Sequence, residues 1–183
     1  MHNQKPYNRR ENIVWSVILL SVLVGAMLIV GFCTEQKDTP EDALIRLISD
    51  YRAENYLDKL DEDKKLTEIA CWMANDLANN NQDCNWNYKI EPNCHTDSLD
   101  RGTFQRACDL GVCGNIWYGE DLYAGSIEPE DVLRELKESP KHNEVLLGPN
   151  YTYIGVCVSR NPKSHYGYYW AVELANTEEA SVQ

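Results

Sequence analysis

The sequence predicts an α+β domain that is stapled by disulfide bonds and preceded by one membrane-spanning helix. Three observations support this prediction. Helical patterns dominate the first part of the domain, two strand patterns close it, and six cysteines follow a long uncharged segment. Helices that come first, with strands at the end, are typical of α+β domains, in which helices cover an antiparallel sheet. A length of 183 residues suits one such domain with an appendage.

The uncharged segment is IVWSVILLSVLVGAMLIVGFC, residues 13–33. About 20 apolar residues span a bilayer as a helix, whereas the apolar part of a signal peptide is usually shorter and ends in a small-x-small cleavage site. Phe32 stands where a small residue would be needed. We therefore expect an uncleaved anchor. The alternatives are a secreted form and a lipid-anchored form with Cys33 modified after signal removal, although Phe32 just before Cys33 fits that processing poorly.

The charge distribution orients this anchor. Lys5, Arg9 and Arg10 precede it, and the acidic excess of the chain follows it. Basic residues favour the cytoplasmic side, so the N-terminus is expected in the cytoplasm and the C-terminal domain outside the cell membrane. The predicted organisation is a cytoplasmic tail (1–12), the transmembrane anchor (13–33), a linker (34–41), the extracellular domain (42–175) and a C-terminal tail (176–183).

The net charge of −12 argues against nucleic acid as a partner, because phosphate binding needs a basic surface. The cysteine count agrees with export, since an even number in an exported domain indicates disulfides. Six cysteines allow 15 pairings, and the sequence cannot choose among them. The pairs favoured by proximity are Cys84–Cys94 and Cys108–Cys113, which leaves Cys71–Cys157. A zinc cluster is the rival interpretation, disfavoured because no C-x-x-C pair occurs.

Three helices have clear signals. Thr39, with a proline after it and an acid three residues on, forms a capping-box pattern ahead of a first helix that ends near residues 54–55. A second apolar stripe runs from Leu66 to Leu77 at helical spacing. A third helix is opened by Pro129 and ended before Pro140.

The rest of the domain is predicted from composition and alternation. Residues 98–110 are weakly helical, and residues 111–125, rich in glycine and aromatics, are predicted as a loop. Residues 151–159 and 168–175 alternate as strands and form an antiparallel pair joined by a short connector.

Three residues on separate loops could carry chemistry: His95, Glu120 and His142. Two neutral imidazoles can hold a divalent cation such as zinc, and a nearby carboxylate can orient them or accept a proton from bound water. Motifs of a serine nucleophile, a zinc protease or a phosphate-binding loop are missing from the sequence. The sequence therefore favours binding over catalysis.

Several motifs together resemble the CAP superfamily of cysteine-rich secretory, antigen-5 and pathogenesis-related proteins, in its bacterial, SCP-like extracellular form. The motifs are LISDYRAENYLDKLDEDKKLTEIACWMANDLA, HTDSLDR, GEDLYAG, SPKHNEVLL, YIGVCV and YYWAVELA, which cover roughly residues 42–175 in order. The resemblance implies an α-β-α sandwich. It also implies a cleft in which His95, Glu120 and His142 converge and sometimes bind a divalent cation.

Three positions depart from the pattern of that family. The asparagine after the glutamate is Asp121 here, a tryptophan of the last helix is Leu136, and a second glutamate found in many eukaryotic members is Ser139. Members of the family bind sterols or lipids, act as channel or immune effectors, or cleave proteins.

We therefore expect a membrane-anchored binding or interaction module, with a divalent cation or a small-molecule, lipid or envelope ligand in its cleft. The alternatives are a metal-dependent hydrolase of peptides or envelope polymers with Glu120 as base, and a structural surface domain whose cleft is vestigial.

Overall fold

The computed structural model describes residues 38–80, 83–87, 89 and 93–176 of the chain. The predicted anchor at residues 13–33 lies outside these residues. Within them, none of the helices combines the length and apolarity that a membrane crossing requires. The elements in chain order are α1 (Pro40–Glu54), β1 (Asp61–Glu62), α2 (Lys64–Asn79), α3 (Thr103–Asp109), β2 (Tyr118–Ala124), α4 (Pro129–Glu138), α5 (Pro140–Leu146), β3 (Tyr153–Arg160) and β4 (Tyr168–Ala175).

The four strands form one mixed sheet in the order β1-β3-β4-β2. The pair β3 and β4 is antiparallel, as the sequence predicts, β2 is antiparallel to β4, and β1 is parallel to β3. Helix α2 packs on one face of β3 and β4, while α1, α4 and α5 cover the opposite face. The α+β class and the helix–sheet–helix layering are thereby confirmed.

The helix starts follow from local chemistry. The side chain of Thr39 accepts from the Asp42 amide at 3.1 Å, and the Asp42 carboxylate accepts from the Thr39 amide at 3.0 Å. This confirms the predicted capping box and satisfies two amides at the start of α1. Asp63 caps α2 in the same manner by accepting from the Leu66 amide at 2.8 Å.

The alternating side chains of β4 build two cores. Trp170, Val172 and Leu174 point toward α1, α4 and α5 and are fully buried with residues such as Leu44. On the other face, Tyr169 and Ala171 pack with the apolar stripe of α2. A central strand covered by helices on both faces is expected to be apolar, and the buried part of β4 is so except at Glu173.

The prediction of a loop over residues 111–125 is wrong for its second half, because Tyr118–Ala124 forms the edge strand β2. Gly119, Glu120 and Asp121 are buried in succession, so the segment does not alternate between apolar and polar residues. Buried charged residues in a strand depend on tertiary partners, and the sequence pattern does not reveal these partners.

The three disulfides pair as expected: Cys71–Cys157, Cys84–Cys94 and Cys108–Cys113. The first joins α2 to β3 across 86 residues of sequence. The second closes the segment just before His95, and the third closes the turn after α3. The last two therefore stabilise segments with little regular structure of their own.

A buried arginine connects α1 to the segment that follows α5. Arg52 is 1% exposed, and its guanidinium donates to the carbonyls of Leu146 at 2.8 Å and Gly148 at 2.9 Å, while its Nε donates to the carbonyl of Asp58 at 3.1 Å. These bonds satisfy both a buried cation and the carbonyls at a helix end. Arg52 thereby holds α5, and with it His142, against the domain.

Candidate functional site

His95 lies on an irregular segment that local hydrogen bonds hold in place. The side chain of Asn93 accepts from the His95 amide at 2.9 Å, next to the disulfide of Cys94. The Asp76 carboxylate of α2 accepts from both the amide and the hydroxyl of Ser98. Asx-type contacts of this kind replace helix or strand bonds in irregular segments. The imidazole is thus positioned although its backbone is neither helix nor strand.

The Nδ1 of His95 lies 2.7 Å from Oε1 of Glu120. The same oxygen accepts from the hydroxyl of Thr103 at 2.9 Å, and Oε2 forms an ion pair with the guanidinium of Arg106. Burial acts to raise the pKa of Glu120, but the charge of Arg106 and the hydrogen bond from His95 lower it to about 2. Glu120 is therefore an ionised carboxylate with both oxygens engaged.

Two further buried acids flank Glu120. Glu173 stands opposite it in the pairing of β2 with β4, and burial together with the Glu120 charge raises the pKa of Glu173 well above its ordinary value. Burial, then the charge of Glu120, also raises the pKa of Asp121. Neither carboxyl has a hydrogen bond of normal geometry among the described residues. The cation that balances the buried negative charge of Glu120 is Arg106.

His142 lies in the first turn of α5, and Ser139 and Pro140 separate that helix from α4. Ser139 is extended, with φ −86° and ψ 116°, and ends α4 while starting α5. Burial, and secondarily the charge of His95, lowers the pKa of His142. The two histidines thus lie close enough to influence each other, and His95 contacts Glu120 directly. The three predicted site residues therefore fall in one region of the fold.

His142 also lines a cleft of about 320 Å³. The other lining residues are Trp86, Leu122, Tyr123, Ala124, Glu135, Leu136, Ser139 and Tyr166. The walls are thus mainly apolar and aromatic, with a few polar groups, which is the usual composition of a small-molecule site. Ser139 is in the cleft, and Glu135 supplies an acid one helical turn before it. The remaining histidine of the domain, His165, is exposed.

Several residues of this region carry no signal in the sequence. Arg106 lies in TFQRACD, which reads as a surface helix, yet its side chain is 0% exposed. Trp86 and Tyr166 lie in loops without periodicity, and Glu135 resembles any charged residue of an amphipathic helix. Only the fold brings these side chains together, and nothing in their local sequence marks them.

The family resemblance raises the question of a bound cation. Within the described residues there is no group of three or more His, Cys, Asp or Glu side chains arranged to hold a metal ion. Glu120 is occupied by Arg106, Thr103 and His95, so it suits the role of orienting His95. The donors that fit a cation directly are the two imidazoles.

Comparison with known proteins defines the class. The family model of the cysteine-rich secretory protein family (CAP) matches residues 45–174. This match covers most of the chain, and the fold has the layers expected for such domains. The chain belongs to the CAP family. A comparison with curated protein sequences finds no significant match.

Solved structures agree on the fold. An outer surface protein of Borrelia burgdorferi is similar with a TM-score of 0.60 and 22% identity, over 74% of this chain and 91% of that chain. An extracellular protein with an SCP domain from Bacillus anthracis has a TM-score of 0.59 and 18% identity, over 75% of this chain and 40% of that chain. A cysteine-rich secretory protein of Staphylococcus aureus has a TM-score of 0.54 and 16% identity, over 79% and 40%.

Proposed function

We propose that this protein is a membrane-anchored binding module whose CAP domain lies outside the cell membrane and takes a small ligand in the cleft beside His142. The observation that carries this proposal is the composition of the cleft: aromatic and aliphatic walls with Glu135, Ser139 and His142 as polar groups. Such a cleft can bury an apolar body and orient it through a few polar contacts. The anchor is residues 13–33, for the reasons of length and flanking charge given above.

We further propose that His95 and His142 form a second, polar part of this site that can hold a divalent cation such as zinc. The Nδ1 of His95 is committed to Glu120, which leaves Nε2 as the ring nitrogen available to a ligand. A carboxylate behind a histidine fixes its tautomer and increases its basicity, as is common around metal sites. A bound cation would supply a positive charge and positions for water, while Glu120 would stay hydrogen-bonded behind His95.

The cation is tested with the full chain in detergent micelles by calorimetric titration with zinc. The double variant His95→Ala, His142→Ala is compared with His165→Ala, which removes an exposed histidine outside the cleft lining. We expect saturable binding in the wild type and in His165→Ala, and its loss in the double variant. Equal binding by all three proteins would contradict a role for the two site histidines, while leaving the cleft itself to ligand screening.

Ligand screening tests the cleft. A panel of small molecules, lipids and envelope fragments is titrated against the wild type and against Leu122→Trp, which fills the cleft from the buried side. We expect a ligand that the wild type binds and the variant does not, with both proteins sharing the same far-ultraviolet circular dichroism. The absence of any binding by the wild type would favour the structural alternative, a surface domain with a vestigial cleft.

The metal-dependent hydrolase is the less favoured alternative. Its base would be Glu120, but a carboxyl with a pKa lowered to about 2 is a weak base near neutrality. The ion pair with Arg106 also holds one of its oxygens. Turnover of peptides or envelope polymers that chelators abolish, and that is absent from Glu120→Gln under conditions in which circular dichroism shows the variant to be folded, would restore this alternative.

A further inference from the structure

We infer that the ligand of the cleft is a cationic organic group, an ammonium carried on an apolar body. This inference rests on the proposed function of the cleft as a binding site and specifies the chemistry of its occupant. It is carried by the three aromatic side chains of the lining, Trp86, Tyr123 and Tyr166, together with the carboxylate of Glu135. Aromatic faces attract cations through their quadrupole, and a nearby carboxylate adds a charge of the complementary sign.

The aromatic side of the cleft is held in place by its neighbours. The rings of Trp86 and Tyr166 meet edge to face, with centroids 5.8 Å apart and planes at 74°. The ring of Tyr166 also contacts two others: its centroid lies 6.0 Å from that of the buried Tyr169 and 4.8 Å from that of the exposed His165. Trp86 and Tyr166 nevertheless remain 38% and 39% exposed. Ring surface that is both fixed and accessible is available to a ligand at little ordering cost.

Tyr123 contributes a third ring from the strand β2. Its hydroxyl accepts from the Ser126 amide at 3.2 Å, and this contact fixes the tip of the side chain. Its ring is partly buried against the core that contains Leu136. Tyr123 therefore provides a rigid wall rather than a mobile flap.

The charge of the cleft favours a cation over an anion. Of the described residues, those that line it include Glu135 and neither lysine nor arginine. Arg134 approaches Glu135 at 3.3 Å but also pairs with Asp131 at 2.6 Å, and its side chain is 54% exposed. Such exposed pairs contribute little, so a ligand cation can compete for the carboxylate. The net charge of −12 further attracts cations toward the protein and repels anions.

Two other ligand classes fit these observations less well. A sugar also stacks on aromatic rings and can donate hydroxyl hydrogen bonds to Glu135, but it has no positive charge to pair with that carboxylate. A fatty acid would bring its own carboxylate close to Glu135, and like charges repel. An ammonium group uses both the rings and the acid.

The test compares choline with 3,3-dimethylbutan-1-ol, which has the same shape but no charge. Binding to the full chain in detergent micelles is followed by saturation-transfer NMR of the methyl protons. We expect saturable binding of choline and about tenfold weaker binding of the neutral alcohol, the size of a cation–π contribution in a partly desolvated site. The same ratio is then measured in variants.

Trp86→Leu and Glu135→Gln should each weaken choline binding, by about tenfold and about threefold, while affecting the neutral alcohol less. Trp117→Leu is the matched control, because Trp117 is exposed and does not line the cleft. Choline binding should be unchanged in this variant. Identical far-ultraviolet circular dichroism of all variants ensures that a loss of binding is not a loss of fold.

Two outcomes would overturn the inference. Equal affinity for choline and the neutral alcohol would exclude a cationic specificity but leave the cleft as a binding site. If neither probe binds, the inference fails as well, and N-phenyl-1-naphthylamine, a neutral apolar fluorophore, then separates the two proposals. Saturable binding of the fluorophore in excess of its uptake by empty micelles, abolished in Leu122→Trp, would keep the proposed function, whereas its absence would remove both proposals.

Discussion

The Nδ1 of His95 lies 2.7 Å from the carboxylate of Glu120, and this carboxylate forms a buried ion pair with Arg106. Because Glu120 is ionised, Nδ1 is the donor in this contact, and Nε2 is the ring nitrogen that remains for another ligand. A half-exposed histidine is thus tied to a buried ion pair. This relationship links the stability of the domain to the properties of its site.

Glu120→Gln should destabilise the domain strongly. The substitution removes the carboxylate that pairs most closely with Arg106, whose side chain is 0% exposed, and leaves only Asp97, 4.0 Å away, as an ion-pair partner among the described residues. Breaking a buried ion pair in this way costs about 3–5 kcal/mol. Urea unfolding followed by circular dichroism measures the change. Glu135→Gln, at a side chain that is 46% exposed, should change the free energy of unfolding by less than about 0.5 kcal/mol. A loss for Glu120→Gln no larger than this control would contradict the importance of the pair.

The stability of the wild type should decline as pH rises, and Asp121→Asn should make this decline smaller. The pKa of Asp121 is raised in the folded protein by burial and by the charge of Glu120, so the folded state holds a proton that the unfolded chain releases above about pH 3.8. The stability associated with this proton is present at low pH and is lost as pH rises, by up to about 1.4 kcal/mol per pH unit.

The comparison is made by urea unfolding at several values between pH 4.5 and pH 8, that is, above the ordinary pKa of the acid. We expect the free energy of unfolding of Asp121→Asn to increase relative to that of the wild type as pH rises. Asp61→Asn, at an exposed acid, should run parallel to the wild type. Parallel curves for both variants would mean that Asp121 is ionised in the folded state.

The disulfides should differ in their contributions according to the loops they close. Cys71 and Cys157 are 86 residues apart, whereas Cys108 and Cys113 are 5 apart. Loop-closure entropy predicts a loss of about 4.6 kcal/mol on removing the first bond and about 2 kcal/mol on removing the second. Paired Cys→Ala variants are compared by thermal unfolding. A smaller loss for the Cys71–Cys157 pair than for Cys108–Cys113 would contradict this ranking.

Gly155→Ala should be poorly tolerated. A Cβ at this position of β3 would lie 2.1 Å from the backbone carbon of Leu66 and 2.2 Å from the nitrogen of Thr67. The strand or α2 would have to shift, and overpacking of this kind costs about 1–3 kcal/mol or more. A Cβ at Gly102 meets nothing within 4 Å, so Gly102→Ala serves as control. Equal melting temperatures for the two variants would show that α2 can move away at no cost.

Zinc affinity, if His95 and His142 bind the ion, should fall on acidification. Metal ligation needs neutral imidazoles, and burial together with the charge of His95 lowers the pKa of His142 below its ordinary 6.5. His142 therefore remains available as a ligand to lower pH than an exposed histidine does. Titrations at steps from pH 5 to pH 8 should show a decline confined to the acidic end. Constant affinity over this range would exclude the two histidines as ligands.

The sequence predicts much of the framework for identifiable reasons. Periodicity and capping residues located α1, α2 and α4, because helix formation depends on neighbours a few residues apart. The pairs Cys84–Cys94 and Cys108–Cys113 were accessible as short loops. His95, Glu120 and His142 were selected from motif order, and the fold brings them to one region.

Other features depend on contacts between distant segments. The strand β2 was predicted as a loop because its buried acids have partners on other elements. The sequence predicts that Arg106 is a surface residue, but its guanidinium forms a buried ion pair with Glu120. Trp86 and Tyr166 meet across 80 positions of sequence, and no local signal joins them.

The sequence by itself therefore determined the fold class, favoured the disulfide pairs by proximity without fixing them, and selected His95, Glu120 and His142 as candidate site residues. Only the tertiary structure decided that Glu120 is held behind His95 by Arg106, and that an aromatic cleft with Glu135 opens beside His142. The physical reason is that burial and electrostatic pairing are properties of neighbours in space. Local patterns record which face of an element is apolar, but they do not record which charged side chain that face will meet.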